Sequence, residues 1–203
     1  MTKIKLCGLK RECDIEVANE LKPEYIGFVF WNKSKRYVSP ETAKALKLKL
    51  DKDISAAGVF IDEDPEKVAK FLKENVIDIA QLHGSEDEEY IRTLRTLTDK
   101  KIIKAFCIRD ESDIISANES EADYVLLDSG YGTGNVFDWS LIKKIKRPYF
   151  LAGGLGAENV AQAIKELQPF AVDVSSKIET DGLKDKEKMR NFVFAVRGKE
   201  SEK

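Results

Sequence analysis

Eight short apolar or β-branched runs recur along the chain at nearly even intervals, and this spacing restricts the possible folds more than any other feature. The runs are Ile4 to Cys7, Tyr25 to Phe30, Ala57 to Ile61, Ile77 to Leu82, Ile102 to Cys107, Tyr124 to Asp128, Tyr149 to Ala152 and Ala171 to Ser175. Their starts lie about 20–30 residues apart, the length of one strand, one helix and two short loops. Most are continuously apolar, as expected of parallel strands covered on both faces.

Amphipathic helices fit between the runs. Ser39-Pro40-Glu41 and Asp64-Pro65-Glu66 each set a capping residue before a proline at the first helical position. Ser85-Glu86-Asp87-Glu88 reads as a capping box. Val68, Phe71 and Leu72 form one apolar stripe; Tyr90, Ile91, Leu94 and Leu97 form another. Between Cys107 and Tyr124 the helical signal is weak: one or two turns over Asp113 to Ala117, the rest loop. Eight strands alternating with about eight helices predict a (β/α)8 TIM barrel, with a doubly wound open sheet as the second choice. The 203 residues read as one compact domain over 1–203. Such barrels typically have about 250 residues, so the loops here are short. No Pro/Gly/Ser-rich linker divides the chain, and residues 198–203 read as a frayed polar tail.

Net charge removes some functions. The 34 basic and 36 acidic side chains nearly cancel, so no overall field recruits nucleic acid. The Lys and Glu residues fall at helical spacing, as on solvated helix faces. Three cysteines without a CxxC argue against a disulfide framework or a zinc site. The start of the chain lacks the apolar stretch of a signal peptide, and no run reaches membrane-spanning length. A cytoplasmic protein with reduced thiols, without membrane partners, is expected.

In a (β/α)8 barrel the chemistry sits where strands end and the following loops begin. The first strand ends in Cys7-Gly8, a thiol expected on exposed backbone and the first residue to test as base or nucleophile. The second is followed by Ser34-Lys35-Arg36. The fourth ends Gln81-Leu82-His83-Gly84, with the lone histidine of the chain, and the sixth Leu127-Asp128. The loop beyond carries Gly132-Thr133-Gly134, strand seven ends at Gly153-Gly154 and strand eight at Ser175-Ser176. The loops after strands seven and eight form the usual phosphate site of this fold. Glycines there let backbone N–H groups approach an oxyanion, and the serines add hydroxyl donors. Each residue also has a plainer reading: Asp128 as a loop acceptor, His83 as a structural histidine, Arg36 as a solvated charge, the glycines as turns. Cys13 reads as a helix residue and Cys107 as packing.

Taken in order, Lys5-Leu6-Cys7-Gly8, Gly27-Phe28-Val29-Phe30 with Ser34 and Arg36, Gly58-Val59-Phe60, Gln81-Leu82-His83-Gly84, Leu127-Asp128, Gly132-Thr133-Gly134 leading to Phe137-Asp138-Trp139, Leu151 to Leu155, and Asp173 to Ser176 with Glu179 resemble the phosphoribosylanthranilate isomerase family over nearly the whole chain. The resemblance implies a cofactor- and metal-independent Amadori rearrangement of N-(5′-phosphoribosyl)anthranilate in tryptophan biosynthesis. It implies Cys7 as general base and Asp128 as general acid. Arg36, with Gln81 and His83, would meet the substrate. Gly132, Thr133, Gly134, Gly153, Gly154, Ser175 and Ser176 would hold the phosphate. It also implies a small-molecule substrate and a monomer or homodimer. Lys177 stands where the family often has glycine, a strained position if the backbone there needs positive φ.

Three other readings stay open. A histidine-pathway isomerase runs the same rearrangement but resembles a duplicated half-barrel, and no clear duplication is visible here. Indole-3-glycerol phosphate synthase relies on a lysine at the end of an early strand, whereas Lys5 is expected to point away from Cys7. A catalytically silent barrel binding a phosphorylated ligand would tend to lose the acid–base pair, and this chain retains both members.

Overall fold

The eight runs pair in chain order into a closed, all-parallel barrel. The structure is a computed structural model that describes residues 1–128 and 139–198. The strands are β1 Lys3–Cys7, β2 Tyr25–Val29, β3 Ser55–Phe60, β4 Ile79–Leu82, β5 Lys101–Cys107, β6 Tyr124–Asp128, β7 Tyr149–Ala152 and β8 Ala171–Val174. β8 returns to β1 with Lys5 opposite Asp173 and Leu6 opposite Val174, which closes the ring. The helices are α1 Glu12–Leu21, α2 Pro40–Lys49, α3 Pro65–Lys73, α4 Glu88–Leu97, α5 Glu111–Glu119, α6 Trp139–Ile142, α7 Val160–Leu167 and α8 Lys186–Arg197. After β8 come a 3₁₀ turn, Ser176–Ile178, and a hairpin of β9 Glu179–Thr180 and β10 Leu183–Lys184.

Local chemistry explains most helix starts. Ser39 accepts the Thr42 N–H at α2, and Asp64 accepts the Glu66 and Lys67 N–H groups at α3, each with proline at the first turn. Val68, Phe71 and Leu72 are buried, as their stripe predicts. On α4, Ile91 and Leu94 are buried, but Leu97 at the helix end is exposed.

Two helix expectations need correction. The start of α4 is not a capping box on Ser85: Asp87 is the cap and accepts the Tyr90 N–H. Ser85 instead bonds Asp62, and the Glu86 carboxylate takes the N–H groups of Asp62 and Gly84 and the Lys104 ammonium. Those tertiary donors outbid the helix end. The weak segment is a full helix, α5. A reciprocal box of Asp110 and Asp113 starts it, while burial of only Ile114 and Ala117 explains its faint periodicity.

Two apolar layers result. A large core fills the space between strands and helices. A smaller one lines the barrel interior: Tyr25, Ala57, Ile79, Ile103, Ala105, Leu126, Phe150, Ala152 and Ala171, with Tyr124 and Phe170 packed against it. The rings of Tyr25, Tyr124 and Phe170 surround Phe150 with centroids 5.3–5.8 Å away. They close the amino-terminal end, and Lys3 lies 4.5 Å over the Phe170 ring. The interior residues fix the inward parity of each strand, since side chains alternate with period two. No helix among the described residues is long and apolar enough to cross a membrane.

Candidate active site

Following that parity toward the carboxyl ends gives the lining of the mouth. After Leu126 on β6 comes Asp128; after Ile79 on β4 come Gln81 and His83; after Ala171 on β8 come Asp173 and Ser175. Lys5 is fully buried and its ammonium bonds Asp173 Oδ1 at 3.0 Å. It is therefore inside the barrel, and Cys7, two residues on, shares its face. Lys5 does not point away from the thiol as expected: residues i and i+2 of a strand lie on the same side.

Cys7 is buried rather than exposed, at 7 %. Although β1 ends there, the side chain is closed off from solvent. A Cβ on Gly27 would fall 2.6 Å from Cys7 Sγ, so glycine opposite the cysteine makes the room it occupies. Gly8, at φ +83°, adopts a left-handed backbone, and a Cβ there would meet Arg36 Cδ at 2.6 Å. Burial raises the thiol's pKa above the usual range, while the Lys5 and Lys184 ammonium groups pull it back.

Arg36 is not a freely solvated charge. Its Nε and a terminal nitrogen grip the two oxygens of Glu179 at 2.6 and 2.8 Å, a bidentate pair. Glu179 also accepts from Lys184 Nζ at 2.6 Å, and Lys184 donates to the Ser175 carbonyl at 2.9 Å. The Ser175 hydroxyl donates to the Cys7 carbonyl at 3.2 Å. The loop after β2, the hairpin after β8 and the end of β1 are thus tied together beside the thiol.

On the other side, the Gln81 amide nitrogen lies 2.8 Å from His83 Nδ1. That nitrogen only donates, so Nδ1 accepts and the ring proton is on Nε2. Nε2 faces Asp128 Oδ2 at 3.8 Å, too far for a direct hydrogen bond. Burial lowers the imidazole's pKa against the pull of Asp128, which favours a neutral ring. Gln81 Oε1 is buried without a hydrogen-bond partner among the described residues. Asp128 is about a third exposed at the rim, with β7 and β8 between it and Cys7 in the ring.

Those two intervening strands carry the anion-binding candidates. Gly153 and Gly154 both have positive φ, and nothing lies within 4 Å of a Cβ built on Gly154. Ser175 precedes the 3₁₀ turn that Ser176 begins. Gly132, Thr133 and Gly134, with Phe137 and Asp138, lie outside the described residues. Lys177 has no positive φ, so the anticipated strain is absent; its ammonium pairs with Glu158 at 3.2 Å. Cys13 sits in α1 as expected, with its thiol exposed. Cys107 is exposed and does not pack in the core: the parity of Ile103 and Ala105 carries it to the open mouth, opposite Asp128 in the β5–β6 register. Sequence reasoning assigned no site role to Asp173 or Lys184. The period-two rule applied to Lys5 and Cys7 would have placed Lys5 in the site.

The comparisons with known proteins agree with this fold. Residues 4–195 match the family model for N-(5′-phosphoribosyl)anthranilate (PRA) isomerase. The chain is 46 % identical to the N-(5′-phosphoribosyl)anthranilate isomerase of Clostridium acetobutylicum, over 97 % of this chain and 98 % of that one. The crystal structure of phosphoribosyl anthranilate isomerase from Thermotoga maritima superposes with a TM-score of 0.89 at 36 % identity, covering 98 % of this chain and all of that one. A second phosphoribosyl anthranilate isomerase structure, in complex with reduced 1-(o-carboxyphenylamino)-1-deoxyribulose 5-phosphate, superposes at 0.85 with 35 % identity and the same coverage.

Proposed function

Because the chain belongs to the N-(5′-phosphoribosyl)anthranilate isomerase family, we propose that Cys7 is its general base and Asp128 its general acid. The enzyme isomerises N-(5′-phosphoribosyl)anthranilate to 1-(2-carboxyphenylamino)-1-deoxyribulose 5-phosphate, an aldose–ketose conversion in tryptophan biosynthesis. The observation that carries the residue roles is the shared inward parity of Cys7 and Asp128, at the carboxyl ends of β1 and β6, with the glycine and serine candidates of β7 and β8 between them.

The reaction opens a ribose ring and moves a proton. Asp128 protonates the ring oxygen, the C1–O bond breaks, and the anilino nitrogen forms an iminium. Cys7, as thiolate, removes the C2 proton, and the resulting enolamine tautomerises to the ketose. No cofactor or metal takes part in this scheme. Gly153, Gly154, Ser175 and Ser176, with Gly132, Thr133 and Gly134 of the β6 loop, hold the phosphate. Arg36 receives the anthranilate carboxylate at its outer edge, its inner edge being held by Glu179. Gln81 and His83 meet the substrate near Asp128. We assign the enzyme to the cytoplasm, as a monomer or homodimer; light scattering decides between the two.

Cys7→Ala and Asp128→Asn should each lower turnover by about 10²–10⁴-fold, the usual worth of one positioned proton-transfer group, with substrate affinity nearly kept. Steady-state kinetics and rescue of a tryptophan auxotroph lacking the isomerase check this. Near-normal turnover in Cys7→Ala would remove the base assignment.

A further inference from the structure

Charged groups from four elements surround Cys7. Lys5 comes from the same face of its own strand and bonds Asp173 of β8, Lys184 of β10 bonds Ser175, whose hydroxyl reaches the Cys7 carbonyl, and Arg36 of the loop after β2 packs beside Gly8. His83 and Asp128 face the Lys5–Asp173 pair from β4 and β6. Glu179 lies between Arg36 and Lys184 and bonds both. Two of these groups are buried cations: the side chains of Lys5 and Lys184 are 0 % and 2 % exposed. Such burial favours loss of the ammonium proton; at Lys5 the opposing charges, Asp173 first, outweigh it, whereas at Lys184 burial outweighs Glu179 and lowers the pKa. Asp173 lies 3.0 Å from Lys5, and Glu179 lies 2.6 Å from Lys184.

A thiol in this setting has a specific difficulty. Burial penalises the thiolate, the form that must accept the C2 proton. The phosphate of the substrate adds a further negative charge nearby. Something must offset both, and a helix terminus does not: α1 begins at Glu12, beyond Gly8, and the Lys10 and Arg11 N–H groups leading into it are taken by Asp14. We propose that Lys5 and Lys184 are positioning residues for the base, two buried ammonium groups that face Cys7 from separate elements and stabilise its thiolate. Asp173 and Glu179 hold those ammonium groups in place and oppose the loss of their protons. The thiol proton leaves to solvent, and the thiolate then takes the proton from C2. The proposal deepens the reading of Cys7 as base and rests on it.

The test reads the thiol directly. In a Cys13→Ser/Cys107→Ser background, Cys7 is the one cysteine left, and its alkylation by iodoacetamide is followed against pH. Lys5→Met and Lys184→Met should each move the alkylation midpoint to higher pH. The rate at neutral pH should fall by about tenfold, which corresponds to one unit of displacement, with the plateau rate at high pH kept. A merely structural role would lower the melting temperature or turnover and leave the midpoint in place. If Lys5→Met fails to fold with Asp173 left unpaired, Lys5→Met/Asp173→Leu removes both charges and should still move the midpoint upward, by less than the loss of Lys5 alone, because the Asp173 carboxylate opposes the thiolate. Lys184→Met tests the second cation from another element. An unmoved midpoint in the folded variants overturns the proposal. Because alkylation needs no turnover, that result leaves the Cys7 base assignment standing, whereas full turnover in Cys7→Ala removes the base assignment and leaves the alkylation result intact.

Discussion

At the scale of single residues, the smallest side chain beside the thiol is among the most constrained. Gly27 sits opposite Cys7, and a Cβ there would lie 2.6 Å from Sγ and 3.2 Å from the Cys7 Cα. The backbone atom cannot swing aside, so Gly27→Ala must displace the strand end. Turnover should drop by about 10²-fold, the effect of a misplacement near 1 Å, and stability by about 1–3 kcal/mol. Kinetics and urea denaturation measure the two; normal turnover would show that the thiol tolerates the shift. Arg36 makes a different prediction. Glu179 holds its inner edge, leaving the outer edge for an anthranilate carboxylate, so Arg36→Ala should raise KM more than it lowers kcat. A flat KM would remove Arg36 from the substrate site. Cys7 and Asp128 were legible as candidates because each ends a recognisable strand, and Arg36 because it lies in the loop that follows one. Asp173 and Lys184 were not: a buried lysine is visible only once its carboxylate partner is seen beside it.

At the scale of elements, the chain signals its helices through caps and its strands through apolar runs, and the two exceptions have separate causes. The expected box at Ser85 fails because Glu86 serves the barrel rather than the helix. Its carboxylate clamps the ends of the β3 and β4 loops and pairs with Lys104 at 2.8 Å, with side-chain exposures of 1 % and 7 %. Glu86→Ala would leave a buried ammonium without its carboxylate. It should cost about 3–5 kcal/mol, read as a lower urea midpoint with an unchanged slope. A loss under about 1 kcal/mol would mean that the Gly84 carbonyl, 2.7 Å from the same ammonium, satisfies Lys104 by itself. Helix α5 is the converse case. Its box of Asp110 and Asp113 is present in the sequence, but with only two buried residues the amphipathic signal is faint.

At the scale of the whole molecule, the carboxylates and tyrosines set how stability varies with pH. Backbone and side-chain hydrogen bonds hold Asp51, Asp62 and Asp110 below the ordinary carboxylate range. Asp123 is below it too: burial pushes upward, but Lys101 and Arg95 outweigh it. A depressed folded pKa stabilises above the unfolded value, and that contribution is lost as pH falls through the folded one. The melting temperature should therefore decline as pH drops below about 4. At the alkaline end burial pushes Tyr149 up to about 12, so its contribution holds below the unfolded value near 10 and is lost as pH climbs through the folded one. A melting temperature flat from about pH 5 to 2 would show that these bonds survive unfolding or contribute nothing. The sequence by itself determined the eight strand–helix units, their order and the polar residues at the strand ends, because spacing, caps and apolar runs are local and each unit must bury its own apolar face. Only the tertiary structure decided which charges meet. Ring closure brings Lys5 to Asp173 across 168 positions, and the last hairpin brings Glu179 to Arg36 across 143. Whether a lysine is a solvated surface charge or a buried partner of the thiol depends on that closure, because burial and through-space distance set its electrostatics and neither is written along the chain.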